Sequence, residues 1–377
     1  MRERGAGHYW PSPTQETLLR AAVMSGADAI EAWHALQPGF DVDHLDRAAR
    51  RLVPLLSANL DRLGVDDPLA PRLGALRRDT AARNRHRFEA GRRLLTALAD
   101  AGIDTLMVKG GALIAQAYHD PGLRPMSDLD VVVPTARATA ALEVLSRAGW
   151  SARVRTTPGF LRMQHAVDLV EADTAARCDL HWHVYWECCG PRADDDLWAA
   201  SVPLTFEGVA TRSLGPADQL LHLCVHGSRR ARSSPLLWIP DCLSVLGAGG
   251  IDWTRLLAQA RQRRVVLRAA TMLAYLARTF HAPVPGDVLA ALEASPASRL
   301  ERLEYRVCNR PQGVLGELPS YWCHYLRLRA DGQVTSPFGF ARYLQETWRL
   351  GSLGDVARGA LDRAQRRVRA AVIRESH

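Results

Sequence analysis

Two stretches of this 377-residue sequence carry residues whose type and spacing can do chemistry together. One is Leu106-Met107-Val108-Lys109-Gly110-Gly111, and the other is Arg124-Pro125-Met126-Ser127-Asp128-Leu129-Asp130. On a strand, residues two apart face the same way, so Asp128 and Asp130 project together while Leu129 faces away. Side-by-side carboxylates repel unless a cation sits between them. Hard dications such as Mg²⁺ meet that need and complete their shells with water and substrate phosphates. The glycine stretch supplies the complementary half. Ile103 to Val108 reads as a short buried strand stopped by glycines. Gly110 and Gly111 allow a tight turn and close approach of a ligand. Ala112 to Tyr118 reads as a helix whose first N–H groups would point at a phosphate. A phosphate cradle beside paired carboxylates is the equipment of two-metal phosphoryl chemistry.

Lys109 adds to this. It is the one lysine among 48 basic residues, in a chain that otherwise uses arginine. Its compact ammonium cannot be exchanged for a planar guanidinium at a tight phosphate.

The pattern apolar-Lys-Gly-Gly, then Arg-x-x-x-Asp-x-Asp, then a later apolar-Asp-apolar strand resembles the DNA polymerase β-like nucleotidyltransferase superfamily. Within it, the chain is similar to the branch of uncharacterised nucleotidyltransferases. The resemblance implies that Gly110, Gly111 and Lys109 hold the triphosphate, that Arg124 closes over it, and that Asp128 and Asp130 bind Mg²⁺, two ions in all. It also implies a third carboxylate on a neighbouring strand. Asp179, in the alternating run Arg177-Cys178-Asp179-Leu180-His181-Trp182-His183, is the candidate. Asp168, in Ala166-Val167-Asp168-Leu169-Val170, is its rival, and Asp-Leu-His-Trp is the form the branch shows. Ser127 either bonds a phosphate or caps the turn before the strand.

Other residues read more blandly. His181 and His183 share a strand face with Asp179, but no fourth metal ligand is evident, so packed or hydrogen-bonded histidines are the better reading. His222 and His226 share a helix face without a following Glu or Cys and read as core or surface residues. Cys188-Cys189 has no base at a defined spacing. Asp241 either reaches the site from the helical region or caps a helix after Pro240.

The elements that must position these residues read as α, then β-α-β-α-β-β-β, then α. The fold class is α+β: a small mixed sheet flanked by helical regions. The divisions are 1–101 helical, 102–214 the nucleotidyltransferase core, and 215–377 helical with a basic tail. Thr14 reads as the first helix cap. Leu45 to Leu56 and Phe88 to Leu98 have helical spacing. Strands are expected around 151–155, 161–171 and 177–185, and Asp252 caps a helix over Trp253 to Arg263. Ser336 to Phe340 reads as a turn or loop. Neither a Gly-x-Gly-x-x-Gly nor a Gly-Lys-Ser/Thr occurs, which argues against dinucleotide and P-loop folds.

Composition sets the outer bounds. The chain is 47% hydrophobic and 23% charged, as globular proteins are. No apolar run approaches the roughly 18–20 residues that span a bilayer, and no signal-peptide core follows Met1-Arg2-Glu3-Arg4. Seven cysteines without scaffold spacing suit a cytoplasmic location. The net charge of +8 suits polyanionic partners. The tail from Asp355 to Glu375 could dock on RNA or lipid, although its weak apolar stripe favours packing on the chain's own core.

The expected activity is Mg²⁺-dependent transfer of an NMP from an NTP to an acceptor hydroxyl, with release of pyrophosphate. The acceptor is a small molecule, a peptide or a protein, in preference to nucleic acid. The alternatives are a non-catalytic nucleotide- or partner-binding module on the same fold, or an RNA-binding protein acting through the Arg-rich tail.

Overall fold

The computed structural model describes residues 9–229, 236–310, 316–334 and 339–375, without side chains at 364 and from 366 onward. Seven strands form one mixed sheet: β1 Leu106–Val108, β2 Leu129–Val132, β3 Trp150–Ala152, β4 Ala166–Glu171, β5 Arg177–His181, β6 Val202–Phe206 and β7 Val209–Ser213. Their order is β3-β4-β5-β2-β1-β7-β6. The central strands β1 and β2 are antiparallel, β2 runs parallel to β5, and β5 is antiparallel to β4.

Period-2 alternation sorts the sheet's side chains into two layers. Met107, Leu129, Val131, Leu169, Cys178 and Leu180 lie in a core with Phe88, Leu94 and Leu145, from the helices Ala70–Asp100 and Ala138–Arg147. The opposite face carries Leu106, Val108 and Val132. These join a larger core built from both ends of the chain, with Trp33 and Leu56 from the N-terminal helices and Leu220 and Leu273 from the C-terminal ones. Asp130, Asp179 and Asp168 are register partners across β2, β5 and β4, and alternation puts all three on this second face. The acids therefore line up across the sheet beneath helices from both flanking regions.

The α+β reading holds: a mixed sheet with helices before and after it. Several elements differ in detail. The strand expected from residue 161 is a helix, Pro158–Met163, until β4 begins at Ala166, because Thr157 Oγ1 accepts from Phe160 N at 3.0 Å and Pro158 opens the helix. Ser12, not Thr14, caps the first helix. The hairpin β6–β7 has no counterpart in the sequence reading; Glu207 and Gly208 make its turn, at φ 47° and 80°. Asp252 does cap Trp253–Gln262, accepting from Arg255 N at 2.9 Å. The basic tail is the helix Gly354–Glu375. Residues 336–338 of the Ser336–Phe340 loop lie outside the described residues. Among the described residues, no helix is long and apolar enough to cross a membrane.

Candidate active site

Strand β1 turns into a helix at Lys109, not at the glycines. Lys109 itself takes φ +52°, and the helix Lys109–Leu113 already contains Gly110 and Gly111. A non-glycine residue in the left-handed region is worth explaining, because the conformation costs about 1 kcal/mol or more. It turns the Lys109 side chain onto β2, where its ammonium hydrogen-bonds Oδ1 of Asp130. The glycines make room for neighbouring side chains. A Cβ on Gly110 would lie 2.6 Å from Arg124 Nη1, and one on Gly111 would lie 2.6 Å from Met107 Cε.

Asp130 sits inside β2 and is 5% exposed. His181 Nε2 reaches the same Oδ1 at 3.1 Å. Burial opposes ionisation of Asp130, but the Lys109 ammonium and the His181 hydrogen bond outweigh it and hold the carboxyl well below the usual range. Asp179, its register partner, fares differently. Burial first, and then the charge of Asp130, push the Asp179 carboxyl up to about 7, against the pull of Lys109. Burial also lowers the His181 imidazole, against the hydrogen bond to Asp130.

One ligand atom from each of Asp130, Asp179 and His181 lies within 4.8 Å of the other two, and among the described residues this is the group so arranged. Two carboxylates forced together by register, plus an imidazole, are a donor set that fits a dication. Asp128 stands one residue before β2, and Ser127 Oγ donates to it at 3.0 Å. Burial and the Asp130 charge raise its pKa, so it belongs to the same negative field without joining the tight trio. Asp168, beyond Asp179, is bound by Arg177 at 2.9 Å and Arg153 at 3.3 Å.

The remaining candidates scatter. Arg124 is buried and pairs in two prongs with Asp241, Nε to Oδ1 and Nη2 to Oδ2, both at 2.7 Å. Tyr118 OH donates to the same Asp241 Oδ1 at 2.9 Å. Asp241 is thus no helix cap; it reaches the β1–β2 connection from the helix Trp238–Ala248. His183 lies past the end of β5, where alternation lapses, and bonds Asp194 at 2.9 Å. His222 is buried and His226 partly buried on the helix Pro216–Gly227, with rings 6.1 Å apart. Burial first, then Lys109 among nearby cations, keeps both well below the usual histidine range. Cys188 and Cys189 are free thiols raised by burial.

Arg51 escaped the sequence reading. It donates to Pro125 O at 2.9 Å, and burial and the neighbouring Arg124 bring its guanidinium down to about 10. Arg87, on the long helix, also feels the Asp128 charge. Two arginines among dozens carry no local signal; the N-terminal helices bring them to Asp128.

A crystal structure of an antigenic nucleotidyltransferase-like protein from Paracoccidioides brasiliensis is similar at 18% identity, over 54% of this chain and 91% of that one, with a TM-score of 0.34. No curated protein matches the chain. A family model described as uncharacterised nucleotidyltransferase matches residues 38–281. The chain therefore belongs to that nucleotidyltransferase family.

Proposed function

We propose that the chain transfers an NMP from an NTP to an acceptor hydroxyl, using Mg²⁺ or a related dication. The observation that carries this reading is the register Asp130↔Asp179, which sets two carboxylates side by side with His181 and Lys109 against them. In this reading residues 102–214 are the catalytic core, between helical regions 1–101 and 215–377. Asp128, Asp130 and Asp179 face the metal ions, of which two are proposed. Divalent ions bound there would stabilise charge on the attacking and departing oxygens. Lys109, Gly110, Gly111 and Ser127 would hold the β and γ phosphates. Arg124 supports them through Nη1, which lies beside Gly110 while its other nitrogens hold Asp241. The acceptor oxygen attacks the α phosphorus, the α–β bridging bond breaks, and pyrophosphate leaves. Asp179 is favoured over Asp168 as the base that takes the hydroxyl proton, because Asp168 is already held by two arginines. Catalysis of this kind is mainly positioning. A reducing compartment such as the cytoplasm suits seven cysteines without disulfide-scaffold spacing.

The test is incubation with α-labelled NTPs and Mg²⁺, with small-molecule, peptide and protein acceptors, the chain itself included. Transfer of label that Asp130→Asn abolishes is the expected result. NTP binding without turnover would favour the non-catalytic module. Absence of both binding and transfer, with wild type and Asp130→Asn alike, overturns the assignment.

A further inference from the structure

We infer that the ion site is a mixed oxygen–nitrogen one, in which His181 ligates alongside Asp130 and Asp179, so that Mn²⁺ or another first-row dication is held in preference to Mg²⁺. This deepens the proposed function by naming the ion, and it rests on that reading only for the ion's role in transfer.

The geometry supplies the argument. A small dication with bonds of about 2.1–2.3 Å spans at most about 4.5 Å between opposite ligand atoms. Ligand atoms of Asp130, Asp179 and His181 within 4.8 Å of one another need draw in by only a few tenths of an ångström. His181 is 2% exposed, so its ring is fixed by packing and not by solvent. Its two nitrogens differ in their surroundings. Nε2 shares Asp130 Oδ1 with the Lys109 ammonium, and the buried Nδ1 has no hydrogen-bond partner among the described residues. The Lys109 ammonium lies at the oxygen where His181 and Asp130 converge, the place an ion would take. Released from Asp130 by an ion, its ammonium becomes available to the phosphates.

The choice of metal follows from the donors. Mg²⁺ demands octahedral oxygen coordination and retains waters. Imidazole nitrogen shifts preference toward first-row transition ions, of which Mn²⁺ also accepts carboxylates readily. Register forces the nitrogen on the site: His181 follows Asp179 by two residues, on the same face of β5, opposite Val132.

The experiment uses the full metal-free chain and MnCl₂ without nucleotide. Pulsed electron paramagnetic resonance on the chain carrying one Mn²⁺ should show directly bonded ¹⁴N coupling that changes to ¹⁵N coupling when histidine is ¹⁵N-labelled. His181→Gln, which keeps an oxygen donor, should lose the nitrogen coupling and bind Mn²⁺ about tenfold or more weakly. Asp179→Asn should lose the signal too, which ties it to this trio and decides the matter if the glutamine variant fails to fold. In competition, wild type should hold Mn²⁺ at least about tenfold more tightly than Mg²⁺. Wild type without nitrogen coupling, coupling that survives His181→Gln, or equal affinity for the two ions overturns the inference. NMP transfer in a chain without nitrogen coupling removes the inference and spares the transferase. Nitrogen coupling in a chain that never transfers NMP does the reverse.

Discussion

The ammonium of Lys109 rests on Oδ1 of Asp130, the oxygen that His181 Nε2 also reaches at 3.1 Å. A residue read as a phosphate ligand is thus engaged with the acid read as a metal ligand, and it turns there through its own left-handed backbone. In the proposed reading the same cation would serve the acids without an ion and the phosphates with one bound.

That double duty predicts opposite effects from one substitution. Lys109→Ala removes a cation that competes with the metal, so the nucleotide-free chain should bind Mn²⁺ or Mg²⁺ about tenfold more tightly, equivalent to about 1.4 kcal/mol. NTP affinity and transfer should fall by tenfold or more, because a phosphate contact is lost. Titration calorimetry of metal alone and of NTP separates the two. Weaker metal binding in Lys109→Ala would mean that Lys109 shapes the site and does not compete for it.

Asp179 contributes a distinct pH dependence to the stability of the chain without bound ions. Its folded pKa, raised to about 7 by burial and by Asp130, lies above an ordinary carboxyl value of about 3.9. Between roughly pH 4 and 7 the folded chain therefore binds more protons than the unfolded chain, and its stability falls as pH rises. Asp179→Asn removes that penalty. In EDTA the variant should be more stable than wild type at pH 8, by on the order of 1–2 kcal/mol, and should have no such advantage at pH 4. Saturating dication should reverse the order at pH 8. Urea unfolding across this range is the measurement, and parallel pH profiles for the two chains would contradict the assigned pKa.

How far the sequence could be read follows from where each signal lies. Strand alternation put Asp130 and Asp179 on the sheet face opposite Leu129 and Leu180, because a period of two is a local property. It failed at His183, where the strand had ended. The hairpin β6–β7 was legible in principle. Val202 to Phe206 and Val209 to Ser213 are rich in β-formers, Gly208 marks the turn, and Pro203 suits the edge position that β6 occupies. Arg51 was not legible as a partner of the site, and for Asp241 the sequence left helix capping equally open. Each meets Arg124 or Pro125 only through the packing of helices from distant parts of the chain.

The Arg124–Asp241 pair, 117 residues apart, ties the β1–β2 connection to the C-terminal helices. Asp241→Asn leaves a buried guanidinium without its counter-charge and should cost about 3–5 kcal/mol. Replacing both, as Arg124→Met with Asp241→Leu, should cost much less, since an apolar pair avoids the uncompensated charge. Urea midpoints for the single and double variants form the cycle. Equal losses in the single and the double would show that Asp241 acts through Tyr118 instead.

The two glycines should respond differently to the same methyl group. Alanine gains about 1 kcal/mol over glycine inside a helix. At Gly111 the new Cβ meets the flexible tip of Met107, at 2.6 Å, which can swing aside, so Gly111→Ala should lie near neutral in stability. At Gly110 it meets Arg124 Nη1 at 2.6 Å and Met126 Sδ at 3.0 Å. That guanidinium is pinned by two hydrogen bonds to Asp241 and cannot yield cheaply. Gly110→Ala should therefore lose about 1–2 kcal/mol net and weaken NTP binding, since Arg124 moves from the place assigned to the phosphates. Thermal unfolding with and without NTP checks both. A destabilised Gly111→Ala beside an unaffected Gly110→Ala would show that Met107, not Arg124, is the rigid neighbour.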